Sequence, residues 1–104
     1  MRLVTVVLVS LLVAACQGDP QKCERAVRNY ATLVFWKQAD ADIAAAPPEK
    51  REQLRKDKLA EFQHQLDKGL QVLVSQCTSA NNKDQINCMI DAKTAEQAKA
   101  CSGH

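Results

Sequence analysis

The residues with the most chemistry to offer in this 104-residue sequence are its five cysteines. They stand at Cys16, Cys23, Cys77, Cys88 and Cys101. A cysteine sulfur can form a disulfide, hold a metal as a thiolate or act in redox exchange. Five cysteines are many for a cytosolic domain of this length, and the number is odd. One of them is therefore expected to differ in its role from the other four.

The beginning of the chain has the pattern of an export signal. Arg2 precedes an apolar run over residues 3–13, and two alanines follow. A helix that crosses a bilayer needs about 20 apolar residues, whereas this shorter run fits the hydrophobic region of a secretory signal. We predict a signal peptide over residues 1–15 and one small helical domain over residues 16–104. A short membrane anchor that stays attached is the alternative.

The cleavage region assigns the odd cysteine. Val13-Ala14-Ala15-Cys16 resembles the bacterial lipobox, in which an aliphatic and two small residues precede a cysteine. The resemblance implies that Cys16 becomes the first residue, is acylated and anchors the chain in a membrane. Gln17 follows where aspartate would favour the inner membrane, so we expect the outer membrane, with the domain facing the periplasm or the surface. An ordinary signal peptide, giving a soluble periplasmic protein, is the alternative.

A first long helix is predicted between two proline signals. Asp19 can cap a helix whose first residue is Pro20, and Pro47-Pro48 must end it. An apolar stripe is predicted to be buried along it, formed by Cys23, Val27, Tyr30, Val34 and Ala41.

A second long helix is predicted over about residues 49–76. Apolar residues recur three and four apart, which is the period of an amphipathic helix, and they are Leu59, Phe62, Leu66, Leu70, Leu73 and Cys77. The opposite side is rich in lysine and arginine with acidic neighbours. We interpret that side as a solvated face, with contact to anionic lipid headgroups as the alternative. The two prolines between the helices predict an antiparallel hairpin.

A short helical hairpin is predicted behind the long one, over residues 83–92 and 95–101. Asn82 resembles a helix start, and Thr94 with Gln97 matches the capping box, in which two side chains satisfy each other's backbone amides. No alternating strand pattern is present in the sequence. The predicted fold class is therefore all-α.

These hairpins predict which cysteines pair. Antiparallel helices place Cys23, near the start of the first, beside Cys77, near the end of the second. Cys88 and Cys101 lie on opposite arms of the short hairpin. An even number of cysteines in a short exported domain is typical of a disulfide framework, and we predict the pairs Cys23–Cys77 and Cys88–Cys101.

Other chemistry is disfavoured. Cys77, Cys88, Cys101 and His104 offer four zinc ligands, but their spacing is unlike that of structural zinc sites, and there is no Cys-x-x-Cys redox motif. His64 has no serine–acid constellation near it in the sequence. We predict no metal site, no cofactor and no catalysis. A formal net charge of +2 over mixed charges argues against a nucleic-acid partner.

Part of the chain resembles a known family. The central segment is Asn87-Cys88-Met89-Ile90-Asp91-Ala92-Lys93-Thr94-Ala95. Four earlier residues also match, Cys77, Asn81, Asn82 and Asp84, and so does the lipobox. It resembles the entry-exclusion lipoproteins of conjugative plasmids, the EexN type, over about residues 77–97. The resemblance implies a lipoprotein in the recipient envelope that blocks a related plasmid by contacting the transfer machinery.

Three other roles stay open beside that one. The first is an exported, plasmid-encoded killing protein of the KikA kind, toxic to some hosts. The second is a pilotin-like secretion accessory, because pilotins are also small helical lipoproteins with a disulfide. The third is a plain structural lipoprotein of the envelope.

Overall fold

The computed structural model of the protein describes residues 18–103. The predicted signal peptide, the lipidation site Cys16 and His104 lie outside the described residues. The helices are α1 Pro20–Ala45, α2 Arg51–Ala80, α3 Lys83–Asp91 and α4 Ala95–Ala100, with 3₁₀ turns at Pro48–Lys50 and Cys101–Gly103. No strand occurs in the range 18–103. The structure confirms an all-α fold of a long helical hairpin followed by a short one.

The hairpin turn forms where its two prolines lie. The Asp19 side chain accepts hydrogen bonds from the first backbone amides of α1, and α1 ends at Ala45, ahead of Pro47-Pro48. The Arg51 side chain then donates to the carbonyls of Ala46 and Ala44, at 2.9 and 3.1 Å. These bonds satisfy carbonyl groups that the end of a helix leaves without a partner.

The second helix runs four residues further than the sequence pattern predicted. It continues to Ala80 and ends at Asn81, which adopts a left-handed conformation with φ 48°. Asparagine tolerates that conformation better than most residues. The polar residues that follow Cys77 thus form the last turn of α2. Polar side chains do not by themselves end a helix; here the end comes at Asn81, whose backbone leaves the helical conformation.

The short hairpin has the predicted caps with one difference. The Asn82 side chain accepts from the amide of Gln85, and the Thr94 side chain accepts from the amide of Gln97, both at 3.1 Å. The Gln97 side chain reaches the amide of Lys93, one residue before the cap. The capping box is therefore correct in its first bond and shifted by one residue in its second.

Helix α1 is central, packed against α2 on one side and against α3 and α4 on another. Helix α2 runs antiparallel to α1, and α3 runs in the same direction as α1. Ile86 at the beginning of α3 packs with Cys23 and Ala26, and further along Lys37 pairs with Glu96. The core is made mostly of small residues. Its fully or largely buried members include Cys23, Ala26, Ala39, Ile86, Ala92, Ala95, Ala98 and Cys101.

Both predicted disulfides are present. Cys23–Cys77 joins the beginning of α1 to the end of α2, with 5.8 Å between their Cα atoms. Cys88–Cys101 joins the arms of the short hairpin, with 5.7 Å between Cα atoms. The sulfur atoms of these four cysteines are bonded in two pairs and so cannot serve as thiolate ligands.

The predicted apolar stripes are buried only in part. In α1, Ala41 is exposed, and Ala39 and Ile43 are buried instead. An ideal helix turns about 100° per residue, so Ala41 shares the angular position of Cys23, while Ala39 and Ile43 lie about 160–200° away. The disulfide covers Cys23 at one end of this face, and nothing comparable covers Ala41 at the other.

The stripe of α2 differs from its prediction in the same way. Leu59 and Leu73 are 46% and 48% exposed, and Leu70 is the one buried residue of the helix. Phe62, Leu66 and Cys77 are half-buried. The amphipathic period predicted the helix correctly, but this apolar face is mostly left open.

Removing the Cys23–Cys77 bond should destabilise the protein more than removing Cys88–Cys101. The cysteines of the first pair are 54 residues apart and those of the second 13, for which chain entropy gives about 4 and about 3 kcal/mol. Urea unfolding of the two paired Cys→Ser variants checks this order. Equal losses, or a larger loss for the short loop, would contradict it.

Asn29 should fasten the short hairpin to α1. Its side-chain nitrogen donates to the carbonyls of Met89 and Ala92, at 2.7 and 3.0 Å. Asn29→Asp keeps the shape but removes the donors and turns a carboxylate towards carbonyl oxygens. We expect a loss of about 1–3 kcal/mol in unfolding free energy. The control Thr32→Ala, which removes an exposed hydrogen bond of α1, should cost less than about 0.5 kcal/mol.

Candidate partner-binding groove

An apolar groove lies along the open side of α1, between α2 and α3. It consists of two adjoining hollows of about 340 and 350 Å³, which share Tyr30 and Leu73. The hollow nearer the proline turn is walled by Phe35, Phe62 and Leu66. The other hollow extends to α3 at Met89. The groove floor includes Val27, Tyr30 and Val34, so the stripe that the sequence predicted as core in α1 is largely this floor.

The lining of the groove carries no charged side chain. Its polar members are Tyr30 and the three glutamines Gln65, Gln76 and Gln85. Neutral amides at the edge of an apolar surface can donate and accept hydrogen bonds without the desolvation cost of a buried charge. The groove therefore suits an apolar or amphipathic segment without a charge on its contacting face.

Phe35 and Phe62, which line the groove, form an aromatic cluster with Trp36. The ring centroid of Phe35 lies 5.1 Å from that of Phe62 and 5.4 Å from that of Trp36. Trp36 and Phe62 are 6.2 Å apart. Centroid distances of 4.5–7 Å are the range in which aromatic pairs attract. This cluster joins α1 to α2.

Gly69 widens the groove because it has no side chain. It lies in the interior of α2 and lines the groove, and a Cβ atom built on it would meet nothing within 4 Å. Glycine inside a helix costs about 1 kcal/mol relative to alanine. The residue thus leaves space open in the middle of the groove at an expense in helix stability.

Two other residues singled out from the sequence, Cys77 and His64, take no chemical role in the groove. Cys77 lines one end of it as half of a disulfide, and His64 is exposed on α2. Within residues 18–103 no group of three or more histidine, cysteine or acidic side chains could hold a metal ion.

Outside the groove, the carboxyl group of Asp42 has a lowered pKa. Gln38 hydrogen-bonds the Asp42 carboxylate at 2.9 Å, and Lys58 pairs with it at 3.3 Å. These two contacts, the first being the stronger influence, lower the pKa of Asp42. The pair joins α1 to α2 near the proline turn and is a surface feature of the hairpin.

Among the described helices, none is both long enough and apolar enough to cross a bilayer. Compared with known proteins, the chain matches no family model, no curated protein and no solved structure.

The sequence contained a signal for the groove that periodicity alone did not resolve. Two helices of 26 and 30 residues each carry an apolar stripe, but the helices that follow have only 9 and 6 residues. At 1.5 Å per residue the short helices are about 14 and 9 Å long, against about 39 and 45 Å for the long pair. Comparing those lengths would have indicated that part of the apolar surface stays uncovered.

Gly69→Ala should stabilise the protein. The new methyl group enters open space and removes the helix cost of glycine, so we expect a gain of about 1 kcal/mol in unfolding free energy. Gly18→Ala is the matched control, because a Cβ there would lie 3.0 Å from the Asn81 side chain and 3.2 Å from the Thr78 carbonyl. Gly18→Ala should destabilise. Loss of stability in Gly69→Ala would mean that the groove is closed at this point.

Proposed function

We propose that this protein is a non-catalytic lipoprotein of the bacterial cell envelope that acts by binding another protein in its apolar groove. The lipobox ending at Cys16 supports the anchor, and Gln17 supports the outer membrane, with the domain facing the periplasm or the surface. Two disulfides suit a protein that folds in an oxidising compartment. If Cys16 is not acylated, the same domain is soluble in the periplasm.

The groove is the observation that carries the binding role. A monomeric domain normally covers its large apolar faces, and an open one marks an interaction site. Here Leu73 is 48% exposed in a lining without charge. An amphipathic helix that lies in a groove through its apolar face is a common mode of recognition. A helix of the partner placed between α2 and α3 would complete a four-helix arrangement around α1.

The proposed partner is a protein of a conjugative transfer apparatus. The support is the resemblance of residues 77–97 to the EexN-type exclusion lipoproteins, together with the lipobox. In this chain that segment forms the end of α2 and most of the short hairpin. Gln85 and Met89, both in the segment, line the groove. The proposed role is to block the arrival of a related plasmid in a cell that already carries one.

A plasmid-transfer assay tests this role. Recipients that express the protein should receive a related plasmid less often than recipients without it. Gly69→Phe, which fills the groove, should return transfer to the level of the empty recipient, whereas Gly69→Ala should still exclude. Cys16→Ser should also lose exclusion if anchoring is required.

Each other outcome of that assay points elsewhere. Unchanged transfer with the unaltered protein would reject exclusion, and growth arrest on expression would favour the killing protein. Exclusion by the Gly69→Phe variant at full strength would reject the groove as the binding site. Non-reducing gels of every variant establish that the disulfides formed, and circular dichroism establishes that the helices folded.

A further inference from the structure

Gly18, the first described residue, is hydrogen-bonded to the end of α2. The backbone amide of Gly18 donates to the carbonyl of Thr78, with 3.0 Å between nitrogen and oxygen. A Cβ atom at this position would come within 3.0 Å of the Asn81 side chain and 3.2 Å of the Thr78 carbonyl, so glycine makes the approach easier. Helix α1 begins two residues later, at Pro20, under the cap of Asp19. From residue 18 onward the chain therefore has no free length before the folded domain.

This contact limits how far the domain can stand from its lipid. Cys16 precedes Gly18 by two residues, and an extended chain spans at most about 3.6 Å per residue. The Cα atom of Cys16 can therefore lie no more than about 7 Å from that of Gly18. Helix α2, which ends beside Gly18, has 30 residues and spans about 45 Å. The tether is thus short compared with the domain that it holds.

We propose that the end of the domain around Gly18 lies against the lipid headgroups of the membrane. This surface, the base, consists of residues 18–22 and 78–84. The proposal rests on the acylation of Cys16 proposed above, because the acyl chains hold that residue at the bilayer surface. The proline turn, at the other end of the hairpin, is then the part of the domain farthest from the membrane.

The exposed chemistry of the base suits headgroups. Lys22 and Lys83 supply positive charge, while Asp19 and Asp84 supply negative charge, and all four are exposed. Balanced polar groups can contact a zwitterionic or mixed headgroup layer without entering the hydrocarbon. The lipid chains, and not attraction to anionic lipids, then provide the affinity.

This orientation places the binding groove next to the membrane. The hollow lined by Cys77, Ala80 and Gln85 reaches the base at Ala80. Phe62, at the other end of the groove, precedes Ala80 by 18 residues of α2, a rise of about 27 Å. A partner segment that fills the groove must therefore reach within about 30 Å of the bilayer. This is the expected place for the part of a membrane-anchored protein that lies just outside its membrane span.

Energy transfer to the membrane tests the orientation. The lipidated protein is placed in vesicles of phosphatidylethanolamine and phosphatidylglycerol that carry an acceptor dye on the headgroups. A donor is attached to Lys83→Cys at the base or to Glu49→Cys in the proline turn. Both positions are exposed, and thiol counting confirms one free cysteine in each variant. We expect several-fold more efficient transfer from residue 83 than from residue 49.

Equal transfer from the two positions would overturn the proposal, because it would mean that the hairpin lies with its long axis along the bilayer. Ten Gly/Ser residues inserted after Gln17 should lower transfer from residue 83, since such a linker spans about 17 Å on average. Unchanged transfer with the linker would also count against the short tether.

Failure of the anchor itself is separated by Cys16→Ser. If the unaltered protein floats with vesicles and the Cys16→Ser form does not, the lipid is present and the transfer result reports orientation alone. If neither form floats, the anchor is rejected together with the orientation. Binding that changes with the fraction of anionic lipid would reject the balanced base.

Discussion

The bond between Cys23 and Cys77 is the constraint on which the rest of the structure depends. Helix α2 has 30 residues, of which only Leu70 is buried, so its packing against α1 relies mostly on half-buried side chains. The disulfide fixes the two helices together at one end, and the aromatic cluster and the Asp42–Lys58 pair hold the other. With α2 held in this way, its apolar face does not have to be buried for the helix to stay in place.

The groove follows from that constraint. A hairpin held by a covalent bond can leave space between α2 and α3 where an ordinary small domain would need packed side chains. The short hairpin covers one side of α1, and its own disulfide and Asn29 keep it there. The protein thus combines a rigid frame with an apolar surface that is open to solvent. This combination suits a protein whose purpose is to bind, since a preorganised surface loses little entropy on association.

Local signals in the sequence predicted most of the fold. Asp19, Asn82 and Thr94 were identified as helix caps because a capping side chain acts within three residues. The cysteine pairs could be predicted because antiparallel hairpins bring fixed positions together. The end of α2 could not be placed, because it depends on the left-handed conformation of Asn81. Periodicity identified the apolar faces, but burial also depends on which helix lies opposite, and that is a property of the whole fold.

The candidate site was predicted only in its parts. Tyr30, Val34, Phe62 and Leu66 were singled out as apolar, and the sequence assigned them to the core. What makes them a groove is the shortness of the helices that could cover them and the missing side chain at Gly69. In both cases the groove exists because side chains are missing. A pattern of apolar residues indicates where side chains pack, but it does not indicate where nothing packs against them. The anchor at Cys16 remains a prediction from the lipobox.

The order of the disulfides along the chain has a consequence for how the protein matures. Each disulfide joins consecutive cysteines of the described residues, Cys23 with Cys77 and Cys88 with Cys101. On the proposed export route, with the N-terminus emerging first, these sulfurs appear in the order in which they pair. Cys23 and Cys77 can be oxidised before Cys88 arrives, and with Cys16 acylated as proposed no other thiol competes with them. Oxidation in order of arrival gives the native framework without the slow reshuffling that crossed pairings require.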